Sequence, residues 1–558
     1  MLAGVLMMFT SCRNRGDGSD YIFTMELPSN PRTLDPQTAV EPHARLVIAN
    51  IFDGLLRLCD SGTVVPGVAR DFSVSSDLLT YRFYLRDDVY WSDGHDFYVR
   101  NTAHDFVFGF RRLFNSAVRS NNSTDFFGIV NSRAIRESEL SIDEFEAEYG
   151  IELGVYAEDD FTLVVHLEEP DYNFPILMTM PPAFPVNEEF FLQTNGRYGL
   201  IDAETSLASN GAFFLREWVY DPWWRYENRI ILRRNERNNA YSDYSDITSE
   251  DLESSQFGRI TPRGIDFFMD RNGGPFAVFA AGNTDCIVVS GENASILKGD
   301  NSLNYVESEN TVWGLSFNVD GMFANENLRL ALTYAVNLSV IDVDGFGFNA
   351  ADSLFPASVR LGRVLEGGIS EELESSEGTS DFRKRTLSHD SDKARELFNS
   401  VSRIVAESRP VVIVPVRTEN DRILDFVGAI NQQWQSQLSL FCNIVPLSQD
   451  EFIRRYNSGD FDIAFKGVSA TYASKSSILR QVVRQNETAG EYMRLARASG
   501  DETRSSEYFR KAEQEILQTA QFSPLAFASE HFFVRRHIEG LIFNPFTGAI
   551  LFRKAVVS

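Results

Sequence analysis

Signatures of catalysis and metal binding are missing from this 558-residue chain. The seven histidines, His43, His95, His104, His166, His389, His531 and His537, form no His-Glu-x-x-His or other metal spacing. There is no Gly-x-Ser-x-Gly elbow and no phosphate loop, and Gly345-Phe-Gly347 lacks the third glycine of a nucleotide-binding run. Cysteine is scarce. Cys12, Cys59, Cys286 and Cys442 are too far apart for a Cys-x-x-Cys motif, which argues against structural zinc and redox chemistry. If Cys12 is modified, three thiols remain and at most one disulfide can form; our reading is buried free thiols. Positive charge is also short. Against 79 acidic residues stand 52 basic ones, and a net charge of -27 repels the phosphates of a nucleic acid. The apolar start, Met1 to Thr10, is too short to span a bilayer.

What is present is enough apolar material for more than one core. At 558 residues, 43% of them hydrophobic and 13% aromatic, the chain exceeds what one core supports, so at least two lobes are expected. The stretch from Gly62 to Phe114 organises the reading. Tyr81, Phe83 and Leu85 alternate with Arg82, Tyr84 and Arg86, the period of a half-buried strand. Trp91-Ser-Asp-Gly94 closes a turn, and Thr102 caps a helix with Asp105 as its capping-box acid and Phe106, Phe110 and Leu113 as its apolar stripe. Further on, Phe161, Leu163, Val165 and Leu167 share one strand face, and Asn210-Gly211 turns into a strand that pairs with Ile230 to Asn235. Ser242 to Gly264, rich in Ser, Asp and Glu, reads as a surface loop. Ser391 opens a capped helix, and Ile423, Phe426, Val427, Ile430, Trp434 and Leu438 line another before a strand at Asn443 to Val445.

The residues say more than their periodicity. Pro66-Gly-Val-Ala69, Ser75-Ser-Asp77, Tyr81-x-Phe-x-Leu-Arg-x-x-Val-x-Trp-Ser-Asp-Gly94 and Ala103-x-Asp-Phe-Val107, in this order, resemble the oligopeptide-binding receptors of ABC importers, within the dipeptide, oligopeptide and nickel-binding family. The likeness continues through Thr33-Leu-Asp-Pro36, Asn50-Ile-Phe-Asp-Gly-Leu55, Arg329-x-Ala-Leu-x-x-Ala335 and Gly459-Asp-Phe-Asp462, covering nearly all of Tyr21 to Phe527. It implies an α/β fold of the type II periplasmic-binding-protein kind, two lobes joined by a hinge. Lobe one would comprise 21–60, 185–310 and 523–558, an extra subdomain 61–184, and lobe two 311–522. The implied protein is no enzyme and needs no cofactor or metal. It would work as a monomer, hold a peptide or similar solute between closing lobes, and deliver it to ABC permease subunits. A sensor or adhesion lipoprotein of the same fold, or a receptor for a non-peptide ligand, is the alternative.

Phe9-Thr-Ser-Cys12 looks like a bacterial lipoprotein cleavage site, with Phe9 where Leu is usual. This implies acylation of Cys12, a tether over Arg13 to Asp20, and a periplasmic or cell-surface protein anchored to a bacterial membrane. Matching motif by motif places Glu41, Phe126, Trp313, Lys466, Thr471 and Tyr472 near the ligand cleft. Peptide-binding members carry Ala-Asp-Tyr after a Gly-Trp, and that aspartate takes the ligand's α-ammonium. Here the run is Gly467-Val-Ser-Ala-Thr-Tyr472, and a threonine hydroxyl accepts a hydrogen bond without bringing charge. The expectation is indifference to N-acetylation of the ligand, unless Glu41 restores the charge from the opposite lobe.

Overall fold

The computed structural model describes residues 21–58, 64–118, 120–201, 207–223, 228–236, 260, 262–343, 346–360, 388–405, 408–416, 422–472, 474–483, 486–544 and 546–558. Cys12 and its flanks, Cys59, and most of the loop expected over Ser242 to Gly264 lie outside them; Gly264 itself opens a strand.

The alternation at Tyr81, Phe83 and Leu85 does bury one face of a strand, Thr80–Leu85. That strand lies in an antiparallel sheet ordered Ala69–Val74, Thr80–Leu85, Thr162–His166, Val155–Asp159. The stretch ending at Leu167 is thus the returning arm of a hairpin, and Phe161 falls at its turn, half-buried. The helix Ala103–Phe114 lies against this sheet and buries Phe106, Phe110 and Leu113. Its start is fixed by more than a local cap. Asp105 Oδ2 accepts from the Thr102 N–H at 2.7 Å, Asn101 Nδ2 at 2.8 Å and Trp91 Nε1 at 3.0 Å, while Oδ1 accepts from Asn187 Nδ2 at 2.9 Å. Turn, cap and a distant segment are thereby tied to one buried carboxylate.

A second sheet runs Ile22–Leu27, Gly264–Met269, Arg229–Arg234, Phe213–Val219, its first pair parallel and the rest antiparallel. The last pair is the hairpin expected after Asn210-Gly211, with a register shift between Leu215 and Glu217. The largest sheet is mixed. It runs Cys286–Ser290, Phe522–Arg535, Leu303–Phe317, Ile463–Ser469, Val411–Pro415, Asn443–Leu447, with Phe348–Ala350 added against Phe522–Arg535.

Two members of this sheet are long. Leu303–Phe317 and Phe522–Arg535 pair antiparallel from Leu303 and Arg535 to Ser316 and Phe522, with register shifts at Glu309/Thr311 and Trp313/Gly314. One end of this ribbon packs Leu303 and Phe533 with Phe279, Ile287 and Leu297. The other end places Trp313, Leu315, Phe317 and Leu525 in a core shared with Phe426, Ile430, Trp434 and Phe465. A separate, larger core gathers Phe23, Phe52, Trp91, Phe106, Phe213, Phe267 and Phe552. Ile478, Leu479, Ala489, Ala496, Phe509 and Ile516, on the helices Lys475–Val482, Glu487–Arg497 and Glu502–Gln518, join that larger core. The helix Ile423–Leu438 buries the six residues its period singled out, and the helix Ser391–Val405 is capped one residue earlier than expected, by Asp390 Oδ1 on the Lys393 N–H at 2.9 Å. Cys286 and Cys442 are buried free thiols, and burial raises the pKa of both.

Replacing Asp105 with alanine leaves four donors without their acceptor, and we expect a loss of about 3 kcal/mol or more, read as a lower urea midpoint. Burial raises the Asp105 pKa against the opposing pull of its four donors. A carboxyl whose folded pKa is raised holds its proton better in the folded state than in the unfolded one. The wild type's advantage should therefore hold or grow as pH falls from neutral toward the ordinary aspartate value. An unchanged midpoint, or an advantage that vanishes on mild acidification, would contradict this role.

Candidate functional site

The described residues show no group of three or more His, Cys, Asp or Glu side chains able to hold a metal. Polar side chains do converge where the segment around Ser123–Phe126 meets the end of the strand Ile463–Ser469 and the helices that follow it. The short 3-10 turn Ser123–Phe126 drives Phe126 into the larger core, edge-on to Phe110 at 6.2 Å, and leaves the preceding residue, Asp125, facing the other side. Asp125 Oδ2 lies 3.4 Å from Thr471 Oγ1, and Arg480 Nη1 donates to the Asp125 carbonyl at 3.0 Å while standing 3.8 Å from Oδ1. Thr471 is held in turn by Ser477: its N–H donates to Ser477 Oγ at 2.7 Å, and the two hydroxyls are 2.9 Å apart.

A second ion pair joins the first around Tyr472. Arg497 sets Nε and Nη2 each 3.0 Å from Asp171 Oδ2, and its carbonyl accepts the Tyr172 N–H at 2.8 Å. Asp171 is braced from behind, since its carbonyl accepts from Tyr81 Oη at 2.6 Å. The strand that organised the sequence reading therefore also carries one anchor of the site. Tyr472 is buried between these charges, and burial raises the pKa of its phenol.

The six residues expected at the cleft separate into two groups. Thr471 and Tyr472 are in the cluster. Lys466 stands a strand's length away, half-buried, its ammonium 4.2 Å over the Tyr456 ring and 3.3 Å from the Gln481 carbonyl. Glu41 sits at the head of the helix Pro42–Ile51 and pairs with Arg32 at 3.2 Å. Arg45, one turn on, feels both Glu41 and Asp125, although burial lowers its pKa. Phe126 and Trp313 are core residues: Trp313 stacks on Phe465 at 5.4 Å and is 6% exposed. Sequence reasoning missed Asp125, Arg480, Asp171 and Arg497. The absence of an acid beside Thr471 is corrected here, because a carboxylate reaches that hydroxyl from a residue 346 positions earlier. Local spacing carries no trace of such a pairing; the one available signal was that Asp125 adjoins Phe126.

Comparison with known proteins decides the family. Residues 63–490 match the model of the bacterial extracellular solute-binding proteins, family 5. The chain belongs to that family. It is similar to the dipeptide-binding protein of Lactococcus lactis subsp. cremoris, 22% identical with 97% of this chain and 95% of that protein covered. It is likewise similar to the probable deoxycholate-binding periplasmic protein YgiS of Escherichia coli, 23% identical over 90% of this chain and 87% of that one. The fold is that of Listeria monocytogenes OppA bound to peptide, at a TM-score of 0.66 and 21% identity, covering 97% and 99% of the two chains. The architecture is the two-lobed type II periplasmic-binding-protein fold, and the relatives are substrate-binding proteins, not enzymes. No helix among the described residues is long and apolar enough to cross a membrane.

Around this site, Gly467 makes room for Trp313: a Cβ at 467 would lie 2.8 Å from Trp313 Cε2, and the stacked, buried ring has nowhere to retreat. Gly467→Ala should therefore cost about 1 to 3 kcal/mol by overpacking. An unaltered urea midpoint would show that the strand accommodates the methyl.

Proposed function

We propose that this chain is the extracytoplasmic substrate-binding receptor of an ABC importer, and that it captures an oligopeptide or related solute between two lobes that close over it. The observation that carries the reading is the polar convergence of Asp125, Arg480, Thr471, Asp171 and Arg497, brought together from distant parts of a chain of this family. In this reading the arrangement, with these ion pairs made, corresponds to the closed form. Opening separates those pairs and pivots on the paired strands Leu303–Phe317 and Phe522–Arg535. A peptide held largely by its main chain and by hydrated side-chain pockets would be accepted with broad sequence tolerance. Delivery then falls to permease subunits.

A second reading, a receptor for a non-peptide amphiphile, is favoured by the deoxycholate-binding relative. Calorimetry with a pool of short peptides and, separately, deoxycholate decides between them. Peptide heats without a deoxycholate heat support the first reading, and the reverse supports the second. Closure is read by small-angle scattering: the radius of gyration should fall on saturation with the bound ligand, and an unchanged radius removes the hinge mechanism.

Ser11-Cys12 after an apolar run supports a lipid anchor on Cys12, from which Arg13 to Asp20 would act as tether. Expressed in a bacterium fed labelled palmitate, the full chain should give a labelled membrane band that Cys12→Ala abolishes. Equal labelling of the variant rules the anchor out.

A further inference from the structure

The geometry points to an arginine-lined cavity, at one end of the sheet that contains Ile22–Leu27 and Gly264–Met269, as the face by which this protein docks on anionic phospholipid headgroups. This rests on the lipid-anchor reading above and names the surface that the anchored chain turns to its membrane.

The cavity, about 480 Å³, lies between the turn at Gly94 and the hairpin of Phe213–Val219 with Arg229–Arg234, and Arg216, Arg233, Arg234 and Arg263 line it. The backbone places each of them. Arg216 falls at the register shift between Leu215 and Glu217, where a bulge leaves it without a partner across the ladder and exposed. The Arg233 guanidinium lies over Gly264, where a Cβ would stand 2.9 Å from Nη1. The Arg234 N–H donates to the Arg263 carbonyl at 2.9 Å, which sets those two side by side. Gly94, at φ +83°, rests the turn on the Phe214 ring, where a side chain would collide, and so closes one wall.

Two of the four guanidiniums are engaged within the chain, Arg233 by Asp266 at 2.5 Å and Arg234 by Glu236 at 3.3 Å. Arg216 and Arg263 are exposed and have no side-chain partner among the described residues. A local excess of positive charge thus stands in a chain whose net charge is -27. At physiological salt, charges farther than about 8 Å from a surface are largely screened, so an anionic bilayer responds to the face that touches it rather than to the total. A guanidinium also offers a phosphate two parallel N–H donors. The place matters as much as the sign. The Arg263 N–H donates to the carbonyl of Tyr21, the first described residue, at 2.9 Å, and Ile22 pairs with Gly264. From Cys12 to Tyr21 are nine residues, at most about 30 Å of extended chain. An acyl group on Cys12 would hold Tyr21, and the arginines beside it, within reach of the headgroups.

The test is cosedimentation of the full chain, carrying Cys12→Ala so that no acyl group contributes, with vesicles of phosphatidylcholine alone or of equal parts phosphatidylcholine and phosphatidylglycerol. Two free arginines at about fivefold each predict a preference of roughly 25-fold for the anionic vesicles, weakened by added salt. Arg216→Gln with Arg263→Gln should abolish the preference, and Arg216→Lys with Arg263→Lys, which keeps the charge, should retain most of it. Equal binding to both vesicles overturns the assignment, and so does a preference that survives the glutamine pair. Calorimetric binding of pyrophosphate without binding of vesicles overturns it too, and makes the cavity a site for a soluble phosphate. Equal vesicle binding, with a lower urea midpoint for the glutamine pair, would give the cavity to the acidic stretch Asp243 to Glu253 of the chain itself. The anchor is read separately: absence of palmitate label on the chain with Cys12 intact, beside an undiminished vesicle preference, removes the acyl group and leaves the docking face.

Discussion

A continuous run of buried hydrogen bonds holds distant parts of this chain in register. Asp105 accepts from Asn101 Nδ2; Asn101 Oδ1 accepts from Asn210 Nδ2 at 3.2 Å; the Asn210 side chain bonds both the N–H and the carbonyl of Asp53, at 3.0 and 2.9 Å. Asp53 then pairs with Arg57 at 2.6 Å and with Arg553 at 2.7 Å. Four stretches, around residues 53, 101, 210 and 553, meet in this run. Apolar packing alone tolerates many arrangements of similar volume. A buried polar chain does not, since a shift at one link leaves a donor or acceptor unsatisfied at a cost of about 1 to 3 kcal/mol. The turn at Trp91 and the helix at Ala103 are placed by this constraint as much as by their own propensities.

The ribbon of Leu303–Phe317 and Phe522–Arg535 does the opposite job. It runs from the small cluster around Phe279 into the second core, and its ladder is broken at two places, Glu309/Thr311 and Trp313/Gly314. Register shifts of this kind bend a strand pair locally while the bonds on either side persist. Gly314 belongs to the same region: a Cβ there would collide with the Ser523 carbonyl, so the two backbones approach closely beside the break. The run of hydrogen bonds lies within the larger core, whereas the ribbon contributes Val312, Phe527 and Phe532 to that core and other residues to both of the remaining two clusters it passes.

Elements with a strong local period were legible from the sequence. The stripe on Ala103–Phe114, the face of Ile423–Leu438 and the alternation in Thr80–Leu85 each concern residues whose neighbours in sequence are their neighbours in space. The alternation over Phe161 to Leu167 found the strand Thr162–His166 but overran it by a residue at each end, and it gave no sign of the partner arm Val155–Asp159. Of the aromatic positions carried over by resemblance, Tyr472 lies in the polar cluster, whereas Phe126 and Trp313 lie in cores. Trp313 and Phe126 are large apolar residues, and burial in a core is what such residues gain most from. Charge told least, since the chain has 79 acidic residues and only its place beside Phe126 marks Asp125 among them.

In the two-lobed receptor proposed above, where a polar contact sits decides what it does for closure. A ligand shifts a conformational equilibrium only by its differential affinity for the two states. A counter-charge lying wholly in one lobe, beside the ligand's other contacts there, would hold an ammonium about equally well open or closed, and its binding energy would do little to close the cleft. Divided between lobes, the same contact exists only on closure, so all of its free energy bears on the hinge. In the closed form as proposed, the Arg497–Asp171 pair and the Tyr172 bond would act as a ligand-independent bias toward closure. That bias lowers what a ligand must contribute to closure. It also means that discrimination between filled and empty receptor would fall on contacts that only the ligand completes.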